Sequence, residues 1–569
     1  MAWIIVLVIL AVLVIAGGIY VYRRRYGSKT QGSLKARYYP QAQKDADGQK
    51  PYATENTKPE KMGFVARLSV DGKEVPADSY RRAMPINFGE GDEYTKLEGI
   101  VTFRGNNYRD TASYGNPVVR EKKLDPNYWH IKTGFLEKSD LSKGKGSAVW
   151  SGSGWTGQPL IVRWDERTRR VMNLYPEKKE KEGLVEAIYA TMDGNVYFID
   201  IEDGTPTRDT LTLGLPFKGA GAIDPRGIPM LFAGAGDSLP DSYGEAGYAR
   251  AFFCSLTNFD TMYELGAKDP FSPRIFHGYD SSALIDAQTD TLFYPGENAV
   301  IYSMKLNTKF DNETGKLSIN PSEMVKWTYN TDRTSEESFW WGMEDSAVIW
   351  KQYMYIADNG GNMMCMDLNT MQLVWTQDTL DDTNASPVFE EEADGSKYLY
   401  VAPSLHWQKN AATNTGKISV FKMNAVTGEI VWEKPYDVHT VYGVSGGVQA
   451  TPVLGKGSIA DLLIVPVARM PRKPSGVLAA LDKKTGEERW VFDMKAYAWS
   501  SPVAVYAQDG TAYIVQCDSK GNVFLLDGLT GKVYDKINVG ANVEASPAVF
   551  ENTIVVGTRG SQIVGIKIR

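Results

Sequence analysis

Ser501-Pro502-Val503, Tyr513-Ile514-Val515, Gly521-Asn522-Val523-Phe524-Leu525-Leu526-Asp527 and Thr530-Gly531-Lys532 make up one unit of a pattern that recurs along the chain. A second copy reads Thr451-Pro452-Val453, Leu463-Ile464-Val465, Gly476-Val477-Leu478-Ala479-Ala480-Leu481-Asp482, Thr485-Gly486-Glu487 and Trp490. Short alternating apolar runs separated by Gly, Asp and Asn are the mark of strands, not helices. The Asp-x-x-Thr-Gly element suits a tight hairpin, because Asp can bond its own backbone and Gly tolerates positive φ. The Trp that follows is placed to pack between neighbouring sheets. One such sheet cannot bury both faces alone. A closed ring of them can, and it protects their edges.

Working outward, the copies decay but persist. Ala385-Ser386-Pro387-Val388 leads to Thr427-Gly428-Glu429 and Trp432, and Asp345-Ser346-Ala347-Val348 leads to Trp375. Weaker openings lie at Gln158-Pro159-Leu160, Gly221-Ala222-Ile223 and Ser282-Ala283-Leu284, and the last begins at Ala545-Ser546-Pro547. These starts, near residues 158, 221, 282, 346, 385, 450, 500 and 545, predict an all-β, eight-bladed β-propeller of four-stranded antiparallel blades over residues 97–569. It would have seven blades if one early copy is false. The last copy has room for three strands, so Tyr128-Trp129-His130-Ile131-Lys132-Thr133 is expected to supply the fourth.

The pattern resembles the propellers built from pyrroloquinoline-quinone (PQQ)-type repeats, and Phe103-Arg104-Gly105-Asn106-Asn107 looks like their lead-in. That family includes quinoprotein dehydrogenases and non-enzymatic scaffolds such as the outer-membrane assembly lipoprotein. The resemblance implies the fold. It leaves open whether the chain is an enzyme, because one propeller hosts unrelated functions.

Residues Ala2 to Tyr22 form 21 consecutive uncharged residues, long enough to span a bilayer. No small-x-small cleavage site follows, so an N-terminal transmembrane helix acting as an uncleaved signal-anchor is expected over 1–22. Residues 23–60, rich in Lys, Gln, Gly, Asp and Pro, read as a flexible tether. Residues 61–96 read as a small N-terminal β extension. Arg23-Arg24-Arg25 after the span would hold the propeller in the cytoplasm. The resemblance implies export, and a single-pass protein of the cell membrane with an extracytoplasmic propeller is the expectation adopted.

A formal charge of −7 gives no basic footprint for nucleic acid. Cys254, Cys365 and Cys517 lie in different blades and read as buried thiols, with no disulfide framework. No P-loop, dinucleotide fingerprint, His-Glu-x-x-His or Gly-x-Ser-x-Gly motif occurs. Asp193, Asp482 and Asp527 read as hairpin residues. The connections that enter the innermost strands carry Asp280, Glu344, Asp345 and Glu544, and His277 and His439 precede blade starts. These six are the candidate polar positions at the channel mouth. They could form a cation-binding rim, or serve as ordinary turn and cap residues. His406-Trp407 falls in an insertion over 403–416, read as exposed.

The quinone-dependent enzymes need a hard cation near the ring axis, a carboxylate base and stacking groups for a flat cofactor. Their adjacent cysteine pair is absent here. The expected function is therefore a membrane-anchored, non-enzymatic scaffold that binds a protein or cell-envelope component, with no cofactor. A PQQ-dependent alcohol or sugar dehydrogenase, with PQQ and calcium, is the alternative.

Overall fold

The computed structural model of the chain describes residues 31–144, 147–154, 157–334, 340–441 and 445–569. The eight openings start eight antiparallel sheets: blade 1 over 160–212, blade 2 over 222–265, blade 3 over 284–330, blade 4 over 348–378, blade 5 over 388–439, blade 6 over 453–493, blade 7 over 503–538 and blade 8 over 548–567. Blade 8 has three strands of its own. Trp129–Lys132 adds the fourth, with Gln562 opposite Lys132 and Gly565 opposite Trp129. The two ends of the ring are thus tied in one sheet, as the sequence predicts.

The repeated Trp and Thr-Gly are two halves of one contact. In blade 7, Asp527 Oδ1 accepts the Thr530 N–H at 2.8 Å, and Gly531 takes φ +69°. A side chain on Gly531 would run into Trp490 of blade 6. Trp490 also donates its indole N–H to the Gly528 carbonyl at 3.1 Å. Trp432 docks likewise on the hairpin of blade 6 through the Lys483 carbonyl, and Trp375 on that of blade 5 through the Ala425 carbonyl. Trp129 does the same across the closure, bonding the Ile201 carbonyl of blade 1 at 3.0 Å.

The Ser/Thr-Pro element has an equally definite role. The Ser282 N–H donates to Ser346 Oγ, Ser346 to Ser386, Ser386 to Thr451, Thr451 to Ser501 and Ser501 to Ser546, at 2.8–3.1 Å. All of these residues are buried, so each hydroxyl satisfies a backbone donor that water cannot reach. Blades 1 and 2 lack the hydroxyl, and there backbone carbonyls take over. Gly157 accepts the Ser546 N–H at 2.8 Å, and Gly221 accepts the Ser282 hydroxyl.

Residues 98–114 cross the channel beside this belt. Ile100 pairs with blade 1, Thr102 bridges to Ala222 of blade 2, and the carbonyls of Asn107 and Tyr108 accept from Ile349 and Phe389. Arg104 and Arg109 are fully buried. Arg104 donates to the carbonyls of Pro502 and Pro452, and Arg109 to those of Ala347, Phe103 and Ser282. Burial pushes both guanidinium groups down to about 10.

The N-terminal segment, expected as a tether, lies along the rim. Arg37–Tyr38 pairs with the outer strand of blade 5, and Thr57 Oγ1 donates to the Thr427 carbonyl at 2.7 Å. Val65–Val70 and Lys73–Val75 extend blade 3 to six strands.

The membrane-anchored reading is corrected. No helix of the described residues is long and apolar enough to cross a membrane. The longest α-helix among them, Glu166–Val171, has six residues, or roughly 9 Å against the ~30 Å hydrocarbon core. The span expected at 2–22 lies outside the described residues. The described residues therefore give no support to the expected transmembrane helix, signal-anchor, membrane partner or single-pass membrane location.

Replacing Trp129 by Ala is expected to cost about 3 kcal/mol, because the indole packs on Gly204 and bonds Ile201 across the ring closure. Gly531→Ala should cost about 2–4 kcal/mol through backbone strain and overpacking. Equilibrium urea unfolding followed by Trp fluorescence measures both. An unchanged midpoint in either variant would contradict this account of the seams.

Candidate functional site

Two kinds of connection face the open mouth: those entering the innermost strands, and the turns between second and third strands. Asp280 comes from the first kind in blade 3, Glu297 from the second kind in blade 3, and Glu344 from the first kind in blade 4. Their carboxylates converge, offering three oxygens all within 4.8 Å of one another. Asp280 is 1% and Glu297 4% exposed. Lys218, on the connection into blade 2, brings Nζ to 3.3 Å from Asp280 Oδ2. Arg274 ion-pairs with Glu297 Oε1 at 3.2 Å and donates to the carbonyls of Glu297 and Trp341.

The cluster holds more oxygen than its partners satisfy. Glu297 Oε2 and both Asp280 oxygens accept no hydrogen bond. Asn359 donates Nδ2 to Glu344 Oε1 at 3.1 Å, while its own buried Oδ1 has no partner. Burial and mutual repulsion raise the pKa of all three carboxyls. Burial pushes Asp280 up to about 7 although Lys218 opposes it. Burial and the Glu344 charge raise Glu297 well above the carboxylate range, and burial with the charges of Asp382 and Asp280 raises Glu344. Burial alone would lower Lys218, but Asp280 and Glu297 keep it firmly protonated.

An aromatic rim surrounds the cluster. Trp150 donates its indole N–H to Asp237 at 2.9 Å, and its ring lies 5.4 Å from Lys218 Nζ. Phe276 lies 5.6 Å from Lys218 Nζ and 5.3 Å from the Arg274 guanidinium. On the far side His406 Nδ1 bonds Asp382 Oδ2 at 2.7 Å, beneath Trp340. Burial opposes protonation of His406, but Asp382 more than offsets it and raises the imidazole above its ordinary value.

Of the six residues named from the sequence, the structure brings Asp280 and Glu344 together. Asp345 is buried beside them but turns away, accepting the Ala357 N–H at 3.0 Å. Glu544 bonds Asn542 and ion-pairs with Arg559 at 3.4 Å, in the equivalent place of blade 8. His277 is half-buried and pushed down by burial, with the Gly266 backbone as its partner. His439 Nε2 donates to the Pro471 carbonyl at 3.1 Å. Sequence reasoning missed Glu297, Lys218, Arg274 and Asn359, and read His406 as an exposed insertion residue. The available signal was the turn after the second strand, where Gly296-Glu297-Asn298, Asp358-Asn359-Gly360 and Asp518-Ser519-Lys520 place polar residues in register.

With this geometry established, comparisons with known proteins define the class. The model of the outer membrane protein assembly factor BamB family matches residues 474–569. A quinohemoprotein alcohol dehydrogenase from Pseudomonas putida HK5 superposes with a TM-score of 0.50 at 11% identity, covering 83% of this chain and 80% of its own. BamB from Moraxella catarrhalis is 15% identical over 72% of this chain and 96% of its own, with a TM-score of 0.42. A europium-containing methanol dehydrogenase is 13% identical over 82% and 91%, with a TM-score of 0.38. No curated protein matches the chain. The fold is thus an eight-bladed antiparallel β-propeller. In particular, residues 474–569 are similar to the BamB family of PQQ-type repeats, and the fold is similar to that of a quinohemoprotein alcohol dehydrogenase.

The raised pKa of Asp280 has a definite sign. A carboxyl whose folded value exceeds its unfolded one contributes stability that is lost as pH rises through the folded value. In chelator, this group should therefore remove up to about 4 kcal/mol between roughly pH 4 and pH 8. Asp280→Asn should flatten that part of the profile, read as Tm against pH. A parallel profile for the variant would show that Asp280 is not the titrating group.

Proposed function

We propose that this chain is a non-enzymatic binding propeller whose channel mouth holds a calcium-type divalent cation and receives a protein partner over its aromatic rim. The observation that carries this reading is the convergence of Asp280, Glu297 and Glu344, with Asp280 Oδ1 and Glu297 Oε2 buried and accepting no hydrogen bond. Hard carboxylate and amide oxygens are the donors that calcium prefers, and a divalent ion would displace the protons that burial otherwise imposes. Asn359 holds Glu344 through its Nδ2 and keeps a buried Oδ1 without a partner.

The hard oxygen donors at the mouth support a cation there in preference to a flat quinone. The rings that meet at the mouth are inclined, Trp340 to Trp407 by 43° and Trp340 to His406 by 89°, rather than stacked in parallel. The three cysteines are free and buried in blades 2, 4 and 7. Lys218 and Arg274 would keep the ligated carboxylates ionised and fixed.

Calorimetric titration of the chelated full chain with calcium chloride tests this reading. About one equivalent should bind, with affinity at least about tenfold weaker in Glu297→Gln and falling from pH 8 to pH 6 as protons compete. No heat at millimolar calcium would remove the cation. Saturable, calcium-dependent binding of pyrroloquinoline quinone would remove the non-enzymatic reading.

A further inference from the structure

Segments that precede blade 1 cover parts of the propeller's rim. Val65–Val70 pairs with the outer strand of blade 3, and Arg37–Tyr38 with that of blade 5. Residues 117–125 fill the outer seam between blades 7 and 8, where the Leu124 N–H donates to Asp535 at 2.8 Å and Lys122 sits over Tyr534. The seam between blades 6 and 7 is different. It opens as a groove of about 680 Å³, flanked by the outer strands Glu488–Asp493 and Val533–Asn538. Neither outer edge has a further strand among the described residues.

The groove has a definite chemistry. Its floor is an edge-to-face pair, Phe492 and Phe524, with centroids 5.1 Å apart. Lys495, Lys520 and Lys536 stand around it, all exposed. Lys495 pairs with Asp493, whereas Lys520 and Lys536 have no carboxylate within ion-pair distance among the described residues. The groove is thus basic on a chain whose formal charge is −7. Phe524 is opposite Lys536 and Asn522 opposite Asn538, so the open edge strand sets Lys536 and Asn538 beside the apolar floor.

We infer that this groove docks an extended acidic segment of a partner protein, added as a strand along Val533–Asn538. Its alternate apolar side chains would lie on Phe492 and Phe524, and its carboxylates on Lys495, Lys520 and Lys536. The molecule already uses the same mode twice, on blades 3 and 5, with strands of its own. Open edges of this kind are templates for a further strand. The chain's own Arg23-Arg24-Arg25 carries the wrong sign to occupy it. This surface is separate from the mouth and does not depend on a cation there.

The probe is a fluorescein-labelled peptide, Asp-Phe-Glu-Val-Asp-Phe-Glu, titrated with the full chain and read by polarisation at low salt. Saturable binding is expected, weakened at least about tenfold in K495E/K520E/K536E and strengthened in Asp493→Lys. All four positions are exposed, so unchanged far-UV circular dichroism should accompany these shifts. No saturable binding, or binding indifferent to the triple reversal, would overturn the proposal. So would a heparin fragment that binds through the same lysines when the peptide does not, since that would make the groove a polyanion site.

Discussion

Everything in this molecule depends on one recurring hydrogen bond, the backbone N–H of one blade donated to the Ser or Thr hydroxyl of the next. At the centre of a propeller the chain turns where water is excluded, and an orphaned backbone donor there costs about 1–3 kcal/mol. Ser346, Ser386, Thr451, Ser501 and Ser546 each relieve the blade before them. The proline that follows most of these hydroxyls has no N–H to satisfy. It still offers a carbonyl, and those of Pro452 and Pro502 hold Arg104. Belt, proline and crossing segment form a single solution to one problem, and the Trp-on-Gly contact solves its counterpart at the rim.

That solution decides where polar chemistry can sit. The belt and residues 98–114 occupy the channel, so charged groups on the remaining connections gather at the open mouth. Asp280, Glu297 and Glu344 are forced together there with Lys218 and Arg274. Carboxylates so placed must share protons, borrow charge from neighbours or hold a cation. Asp280 Oδ1, Glu297 Oε2 and Asn359 Oδ1 have neither a hydrogen bond nor an ion pair, which separates this group from Glu544, whose Asn542 and Arg559 partners account for both of its oxygens.

Much of the fold was legible because its physics is local and repeated. Ser/Thr-Pro, Asp-x-x-Thr-Gly and Trp each answer a demand that returns in every blade, so eight openings and the closing strand at 128–133 could be read directly. Blades 1 and 2 were faint for a visible reason: Gly157 and Gly221 carbonyls replace the hydroxyl, and nothing in a side-chain pattern records a carbonyl. Asp280 and Glu344 were legible because they precede strands that the pattern locates. Glu297 and Lys218 were not, since their meeting depends on the radial approach of different blades. The segment 31–62 has the composition of a tether, but it gains its order from edges the propeller supplies, as in the pairing of Arg37 with Glu433. The long apolar run at 2–22 pointed to a membrane, and no helix of the described residues provides a span.

The most direct measurement is an anomalous difference map from crystals of the full chain soaked in terbium chloride, a calcium surrogate of hard-cation character. The account predicts one dominant peak between the carboxylates of Asp280, Glu297 and Glu344. A map with no peak there at pH 8, or with density only at exposed surface carboxylates, would contradict it and leave the cluster as a set of protonated, mutually bonded acids.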